Sequence, residues 1–351
     1  MPTFDTGHLF LTFLCPIRRG TTMDDEGASV SYEQSLRTTL ALLPTALQSP
    51  ATQDIGINSP FARTCCTHLC RFVVLEDVTY NGRNPSDAVL AAITKSDPVH
   101  PQPLDRLNCS YLLFAADVDA VLKGGDPLPA TLGAAGQARA RDAYAHRLWE
   151  TMEPELRKIF ANCVGFERVD SAAGFAAYLA RCQVETTMPF NDYWISPPAL
   201  KNLPVVPMAA AALVPLAVTL LALIGWLAHL DRIPLLGALV GWSPGDTLFW
   251  SALVTAAVVV GLIRYVIAHG QQPMPPAKYG DLPSVLKSLY LQQHFADFVV
   301  AQQGQSDAEL HAAFGAFLAT HRPEDKMAPT QAPGVIDIRA AHGIIGWRTG
   351  A

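Results

Sequence analysis

The segment Cys65–Cys70 concentrates the side chains best suited to hold a metal ion, and it reads Cys-Cys-Thr-His-Leu-Cys. On an extended strand Cys66, His68 and Cys70 share one face, because side chains two positions apart point the same way. The outer two would then lie about 13 Å apart. One tetrahedral zinc ion with bonds of about 2.3 Å does not bridge that distance. We therefore predict buried core cysteines and no metal site, although a loop conformation would reopen the question.

His68 and Arg71 interrupt an otherwise apolar stretch and are the candidate ligand-binding residues of this sequence. Their separation of three positions predicts opposite faces of a strand. A structural role is the alternative, with His68 satisfied in the core and a buried Arg71 paired with a carboxylate. Asp117 and Asp119 follow the next strand and are expected to be solvated. The sequence contains no phosphate-binding loop, dinucleotide fingerprint or His-Glu-x-x-His motif, so the catalytic residues are unknown and enzyme activity is uncertain.

The elements that must position these residues follow a β-α-β-β-α-β order, which predicts an α+β, ferredoxin-like (split β-α-β) domain. Apolar, β-branched and aromatic content marks the strands. Helices are predicted from a Ser31 capping box, over the Gln137–Phe160 segment and after Asp170. The predicted strands are His8–Ile17, Thr67–Leu75, Cys109–Ala116 and Val184–Phe190, with a further candidate at Asn162–Arg168.

Each predicted strand is apolar on both faces, which predicts that something covers the second face of the sheet. Two predicted C-terminal helices, 284–302 and 307–320, have apolar faces of their own and are the favoured cover. The alternative is the same sheet of a second chain, as in dimeric α+β barrels. Any ligand site is expected beneath this cover.

Two uncharged runs predict a transmembrane helical hairpin, with spans of about 207–230 and 247–268. A buried hairpin within a soluble core is the alternative. Lys201 precedes the first span, while Arg264, Lys278 and Lys287 lie at or beyond the end of the second. The excess of flanking cations predicts an inner-membrane, multi-pass protein with both termini in the cytoplasm.

The net charge of −6 lies within residues 1–200. An anionic domain gains nothing from phosphate backbones, so no nucleic-acid partner is expected. All seven cysteines precede the hairpin, and the odd number argues against a disulfide framework. The N-terminus lacks the pattern of a signal peptide. The expected partners are the lipid bilayer and either another protein or a second copy of the chain.

Three segments, SPFARTCCTHLCRFVVLEDVTYNG, NCVGF and RCQVETTMPF, together with the β-α-β-β-α-β order, resemble the ferredoxin-like halves of dye-decolourising peroxidases and related bacterial proteins. The resemblance covers residues 7–190 and implies the ferredoxin-like fold. In that family a Gly-x-x-Asp-Gly segment supplies a distal Asp over haem, and a later His ligates the iron. This sequence has no such segment and no His that matches the ligand. Haem is therefore a cofactor that the resemblance suggests but the residues do not favour.

The sequence divides into an α+β domain (1–200), the hairpin (203–269), a C-terminal helical pair (280–322) and an irregular tail (323–351). The expected function is a membrane-anchored module that binds a ligand or partner at the cytoplasmic face and accompanies redox or peroxide chemistry. A haem-dependent, peroxidase-like enzyme and a structural subunit of a membrane complex are the alternatives. Small residues in the spans favour close helix packing and hence the structural subunit.

Overall fold

The computed structural model describes residues 6–24, 26–47, 49–76, 93, 107–123, 125–184, 194, 202–230, 242–273 and 275–335. These residues form two compact units. One contains the described part of the predicted hairpin, 202–273, and the other contains residues 6–194 together with 275–335. Each unit is described by itself.

The larger unit is a mixed α+β structure built on a four-stranded antiparallel sheet, in the order β4-β5-β1-β6. A two-stranded hairpin, β2 and β3, lies outside that sheet. The strands are β1 (His8–Pro16), β2 (Thr21–Met23), β3 (Ser29–Ser31), β4 (Thr67–Leu75), β5 (Tyr111–Asp119) and β6 (Gln183–Val184). The helices of this unit are α1 (Tyr32–Ala41), α2 (Pro50–Ile55), α3 (Ala134–Phe160), α4 (Ala172–Cys182), α7 (Leu282–Ala301) and α8 (Asp307–His321).

The core lies between one face of the sheet and helices α3 and α4. Phe13, Phe114 and Phe72 stand side by side on the three long strands, with neighbouring ring centroids 5.4 and 4.7 Å apart. Phe160 of α3 meets Phe114 edge-on at 6.4 Å. Helix α3 is kinked at Met152, two residues before Pro154, whose ring and missing N–H disrupt helical hydrogen bonding. This face of the sheet is therefore fully packed.

Several predicted elements differ from the observed ones. The third long strand begins at Tyr111 rather than Cys109 and continues beyond Ala116 to Asp119, because it pairs with β1 as far as Asp119 and with β4 as far as Val118. The predicted strand at 162–168 is wrong: the structure has a single bridge at Cys163 and a 3-10 turn at Phe166–Arg168. Helix α4 is capped by Ser171 rather than by Asp170. Most of the predicted strand at 184–190 lies outside the described residues.

The second face of the sheet is only partly covered. Leu69 and Val73 of β4 are 47% and 42% exposed, and Arg71 between them is exposed as well. The predicted cover is therefore incomplete: α7 approaches the sheet mainly with its first two turns, where Leu282 and Leu286 are buried. Helix α8 begins with a capping box formed by Ser306 and Glu309.

The smaller unit consists of helices α5 (Val205–Leu227) and α6 (Pro244–Gly270), both long and apolar enough to cross a membrane. Their 23 and 27 residues correspond to about 35 and 40 Å of helix. The two helices pack together, and a hydrogen bond of 3.1 Å joins the hydroxyls of Thr219 and Thr255. Almost none of either apolar run is buried, unlike the core helices of a soluble domain.

Candidate functional site

Two histidines and a carboxylate meet where three strands of the larger unit end. His8 is the first residue of β1 and pairs with Asp119, the last residue of β5. On the other side of β5, the pairing with β4 slips by one residue between Thr67 and Leu69, so His68 is the extra residue of a β-bulge. Bulges redirect side chains at strand ends. This one brings His68 to Asp119, completing the cluster named here the His–Asp–His cluster (His8, His68 and Asp119).

The cluster is tight and shielded from solvent. Asp119 Oδ1 lies 2.8 Å from His68 Nε2 and 3.3 Å from His8 Nε2. The two imidazole rings meet edge-on with centroids 5.2 Å apart. The side chains of His8, His68 and Asp119 are only 3%, 2% and 1% exposed. Two imidazoles thus converge on a single carboxylate oxygen in a buried site.

The segment that leads into α7 closes the site. Gly280 O lies 3.1 Å from His8 Nε2, and the Leu282 backbone N–H donates to Asp119 Oδ2 at 2.9 Å. Burial alone would raise the pKa of the Asp119 carboxyl. Hydrogen bonds from His68 and His8, the charge of His68 and the Leu282 N–H outweigh burial and hold that pKa below its ordinary value. The carboxylate is therefore ionised within the protein.

Gly7 sets the direction in which the chain enters β1. Its φ of +71° is one that residues with a side chain rarely adopt. A Cβ on this residue would also lie 2.6 Å from Pro276 Cβ, too close for any packing. Its carbonyl accepts the Ala120 N–H at 2.8 Å, just beyond Asp119. Glycine at this position lets the segment preceding α7 pack against the start of β1 and places His8 opposite Asp119.

A cavity of about 930 Å³ runs along the β4 edge of the sheet and reaches His68. Its walls come from β4, the end of α1, residues between 43 and 62, the first turns of α7 and residues 331–335. Apolar side chains that line it include Leu43, Phe61, Leu69, Phe72, Val285 and Leu289. Concave apolar sites with a few placed polar groups are the usual form of a small-molecule site. Thr45 and Gln331 supply such groups, whereas the His68 side chain is only 2% exposed.

The two predicted site residues have different surroundings. His68 belongs to the His–Asp–His cluster and lines the cavity, whereas Arg71 is exposed and is not part of the cavity wall. The expectation that a buried Arg71 needs a carboxylate partner is therefore wrong, because the side chain is not buried. The bulge also removes the alternation from which opposite faces were predicted for His68 and Arg71.

Asp117 and Asp119 are buried, at 4% and 2% exposure, so the expectation of solvated carboxylates is wrong. Sequence reasoning missed His8 and Asp119 as site residues because it ended the third strand at Ala116. The predicted strand bounds alone did not reveal the pairing, because the register of two antiparallel strands is not determined by where each strand ends. The observed register pairs His8 with Asp119.

The cysteines of the 65–70 segment do not converge on His68. Cys66 is buried, and burial raises the pKa of the Cys70 thiol to about 12. His68 turns its Nε2 to Asp119 instead. The prediction that these cysteines hold no metal stays a prediction. The His–Asp–His cluster is a separate set of two nitrogen donors and one oxygen donor.

The cavity offers no histidine to haem iron among the described residues. An axial histidine needs an imidazole nitrogen directed at the iron. His68 is the one described histidine that lines the cavity, and its Nε2 is directed at Asp119 at 2.8 Å.

No protein-family model matches this sequence, and no curated protein or solved structure is detectably similar to it.

Proposed function

We propose that this chain is a membrane-anchored module that binds a small, mostly apolar molecule carrying a hydrogen-bonding group. The observation that carries the proposal is the cavity of about 930 Å³ with its mostly apolar wall. Burying most of an apolar molecule along β4 and α7 supplies affinity, while polar residues of the wall such as Thr45 and Gln331 select for the polar group. No residue is assigned a catalytic role, so the proposal is a binding function.

The ferredoxin-like plan is part of this proposal. Among β1, β4, β5 and β6, the first and third strands are adjacent at the centre, with the second and fourth outside them. Helix α1 precedes β4, and α3 and α4 precede β6. This order supports a split β-α-β arrangement. A relationship to dye-decolourising peroxidases remains a hypothesis based on the sequence segments quoted above.

Membrane insertion of α5 and α6 is supported by their length and by the exposure of their apolar side chains, since such a surface is costly in water. We propose an inner-membrane location with both termini in the cytoplasm, on the basis of the cations that flank the spans. The lipid bilayer is then the first partner. A protein partner or a second copy of the chain would meet the exposed face of β4 around Leu69 and Val73.

Two alternatives predict different measurements. A haem enzyme predicts a Soret band in the absorption spectrum of the purified protein, whereas a binding module predicts none. A structural subunit of a membrane complex predicts stable co-purification with other membrane proteins and no small-molecule binding in the cavity. The misfit of His68 to haem iron favours the binding module over the haem enzyme.

Photolabelling of the full chain tests the binding function. The protein in lipid nanodiscs is irradiated with an alkyl alcohol that carries a diazirine, and labelled peptides are mapped by mass spectrometry. Because the probe also dissolves in lipid, labelling of α5 and α6 is expected in every sample. The informative result is labelling of peptides from β4 and the first turns of α7, saturable by unlabelled alcohol.

A matched pair of variants separates the cavity from the lipid. Leu289→Trp places a larger side chain in the cavity and should reduce labelling of β4. Leu310→Trp, at an equally exposed helix position outside the cavity, should leave it unchanged; the two leucines are 40% and 42% exposed. Labelling restricted to the spans, or labelling of β4 that Leu289→Trp does not reduce, would refute the binding function.

A further inference from the structure

The geometry of the His–Asp–His cluster points to a function beyond binding in the cavity. We propose that His8, His68 and Asp119, with the carbonyl of Gly280, bind one divalent transition-metal ion, best matched by Zn²⁺. The three side chains offer their ligand atoms within 4.8 Å of one another. All are buried, and they come from three different strands.

The spacing of the donor atoms agrees with a metal coordination sphere. Zinc binds imidazole nitrogen and carboxylate oxygen at about 2.0–2.2 Å, so neighbouring ligands of a tetrahedral site lie about 3.4 Å apart. Octahedral geometry brings neighbouring ligands to about 3.0 Å at similar bond lengths. Asp119 Oδ1 lies 3.3 Å from His8 Nε2 and 2.8 Å from His68 Nε2, and Gly280 O lies 3.1 Å from His8 Nε2. Small adjustments therefore admit an ion among these atoms.

The surroundings of Asp119 resemble those of a metal ligand. Oδ2 accepts the backbone N–H of Leu282 at 2.9 Å, which fixes the carboxylate and leaves Oδ1 directed toward both imidazoles. Metal-binding carboxylates are commonly oriented in this way by outer hydrogen bonds. A single cation would satisfy Oδ1, both Nε2 atoms and Gly280 O at once. Without a metal ion, His8 Nε2 carries at most one hydrogen, which is shared between two acceptors, Asp119 Oδ1 and Gly280 O.

The donor types select the metal. Calcium and magnesium prefer oxygen ligands throughout, and thiolate sites need cysteine. Two imidazoles and a carboxylate match Zn²⁺ and the non-haem Fe²⁺ sites. Zinc has no geometric preference from its d electrons, so it accommodates the arrangement in which these atoms are held. The ion would connect the ends of β1, β4 and β5 to the segment that starts α7, fastening the C-terminal helices to the sheet.

The test uses the full chain in detergent, freed of metal with a chelator. Zn²⁺ is titrated calorimetrically, and Co²⁺ is used as a spectroscopic substitute. We expect one equivalent of each metal, a Co²⁺ visible spectrum without the thiolate-to-metal charge-transfer band, and a rise in melting temperature with Zn²⁺. A charge-transfer band from thiolates would place the metal at the cysteines and overturn the proposal.

Variants locate the ligands. Losing an outer partner of a metal ligand costs about 10–100-fold in affinity, so His68→Gln and Asp119→Asn should weaken Zn²⁺ binding by at least about 100-fold. Both substitutions keep hydrogen-bonding groups of similar size. His311→Ala removes an exposed histidine on α8 and should change nothing. Wild-type affinity in the folded cluster variants would show that the cluster is only a hydrogen-bonded junction.

X-ray absorption at the zinc edge needs no variant and decides the matter if the substitutions prevent folding. The zinc-loaded wild-type protein should give nitrogen and oxygen neighbours with the scattering pattern of two imidazoles. Sulfur neighbours, or no bound zinc after removal of excess metal, would overturn the proposal. Labelling of β4 in the cavity does not depend on either result, so the metal site and the binding function fail separately.

Discussion

His68 Nε2 lies 2.8 Å from Asp119 Oδ1, although the two residues are 51 positions apart in the chain. The contact depends on the slip in pairing at the start of β4, without which His68 would take part in the regular alternation of the strand. This contact links the bulge of β4 to the end of β5, and His68 also lines the cavity. The bulge therefore positions the candidate functional site.

Removing the Asp119 carboxylate should destabilise the larger unit. Asp119→Ala deletes the acceptor of the Leu282 N–H and of the two imidazoles, all in a buried site. We expect the free energy of unfolding to fall by roughly 2–4 kcal/mol, since the loss of a buried polar partner costs the desolvation of the groups left behind. Urea unfolding in mild detergent measures the change.

Asp142→Ala is the matched control. Its carboxylate is 45% exposed and pairs with Arg141 at 2.7 Å, so the change should stay within about 0.5 kcal/mol. Equal losses for the two substitutions would mean that the His–Asp–His cluster adds nothing to stability beyond an ordinary surface ion pair.

The thiol of Cys182 should alkylate faster than that of Cys65 at neutral pH. A hydrogen bond from Cys15 lowers the pKa of Cys182 to about 7, against the opposing effect of burial, and Tyr178 and Arg181 assist. Burial raises the pKa of the Cys65 thiol, although that residue is exposed. Iodoacetamide labelling followed by peptide mass spectrometry at pH 6, 7 and 8 measures both rates.

The pH profile distinguishes the two cysteines. The Cys182 rate should level off above pH 7, because the thiolate is then the main species, while the Cys65 rate keeps rising. Tyr178→Phe should move the pH profile of Cys182 alkylation to higher pH, because the Tyr178 hydroxyl helps to lower the pKa of that thiol. Faster reaction of Cys65 at pH 7 would contradict the prediction.

Acidification should weaken the packing of α7 against α8. The Tyr290 hydroxyl lies 2.8 Å from His321 Nδ1, and the His294 ring stacks on His321 at 4.8 Å. Burial, followed by the charges of His294 and Lys287, lowers the pKa of His321. The unfolded chain takes up this proton near pH 6.5 and the folded chain only at lower pH. Stability contributed by neutral His321 is therefore lost as pH falls through about 6.5.

Thermal melts between pH 7.5 and 5.5 measure this effect. His321→Gln should give a shallower decline on acidification than the wild type, whereas His311→Ala, on the same helix and exposed, should match the wild type. An unchanged decline in His321→Gln would assign the acid sensitivity to other groups.

The orientation of the hairpin is tested by a single cysteine in a cysteine-free background. Gly237→Cys, between the spans, should react with an impermeant thiol reagent added outside intact cells, because the cations lie on the opposite side. Thr3→Cys, at the N-terminus, should be protected until the cells are opened. The reverse pattern would invert the orientation.

Local patterns determined much of the secondary structure. The strand predicted at Thr67–Leu75 has those bounds in the structure, and Ser31 caps α1 by accepting the Gln34 N–H at 3.0 Å. Both depend on interactions within a few residues, which sequence spacing encodes directly. The two apolar runs likewise form long helices, because about 20 consecutive apolar residues favour that state with little need for tertiary contacts.

Only the tertiary structure assembled the site. Residues far apart in sequence came together through strand order and register, which depend on the competition among many pairings rather than on local preference. The sequence alone identified His68 as a polar interruption of an apolar strand. The direction of its side chain, however, depended on the one-residue shift in the pairing of β4 with β5. Asp119 became buried because β5 runs three residues beyond Ala116 between two neighbours, and the segment before α7 then closed over it.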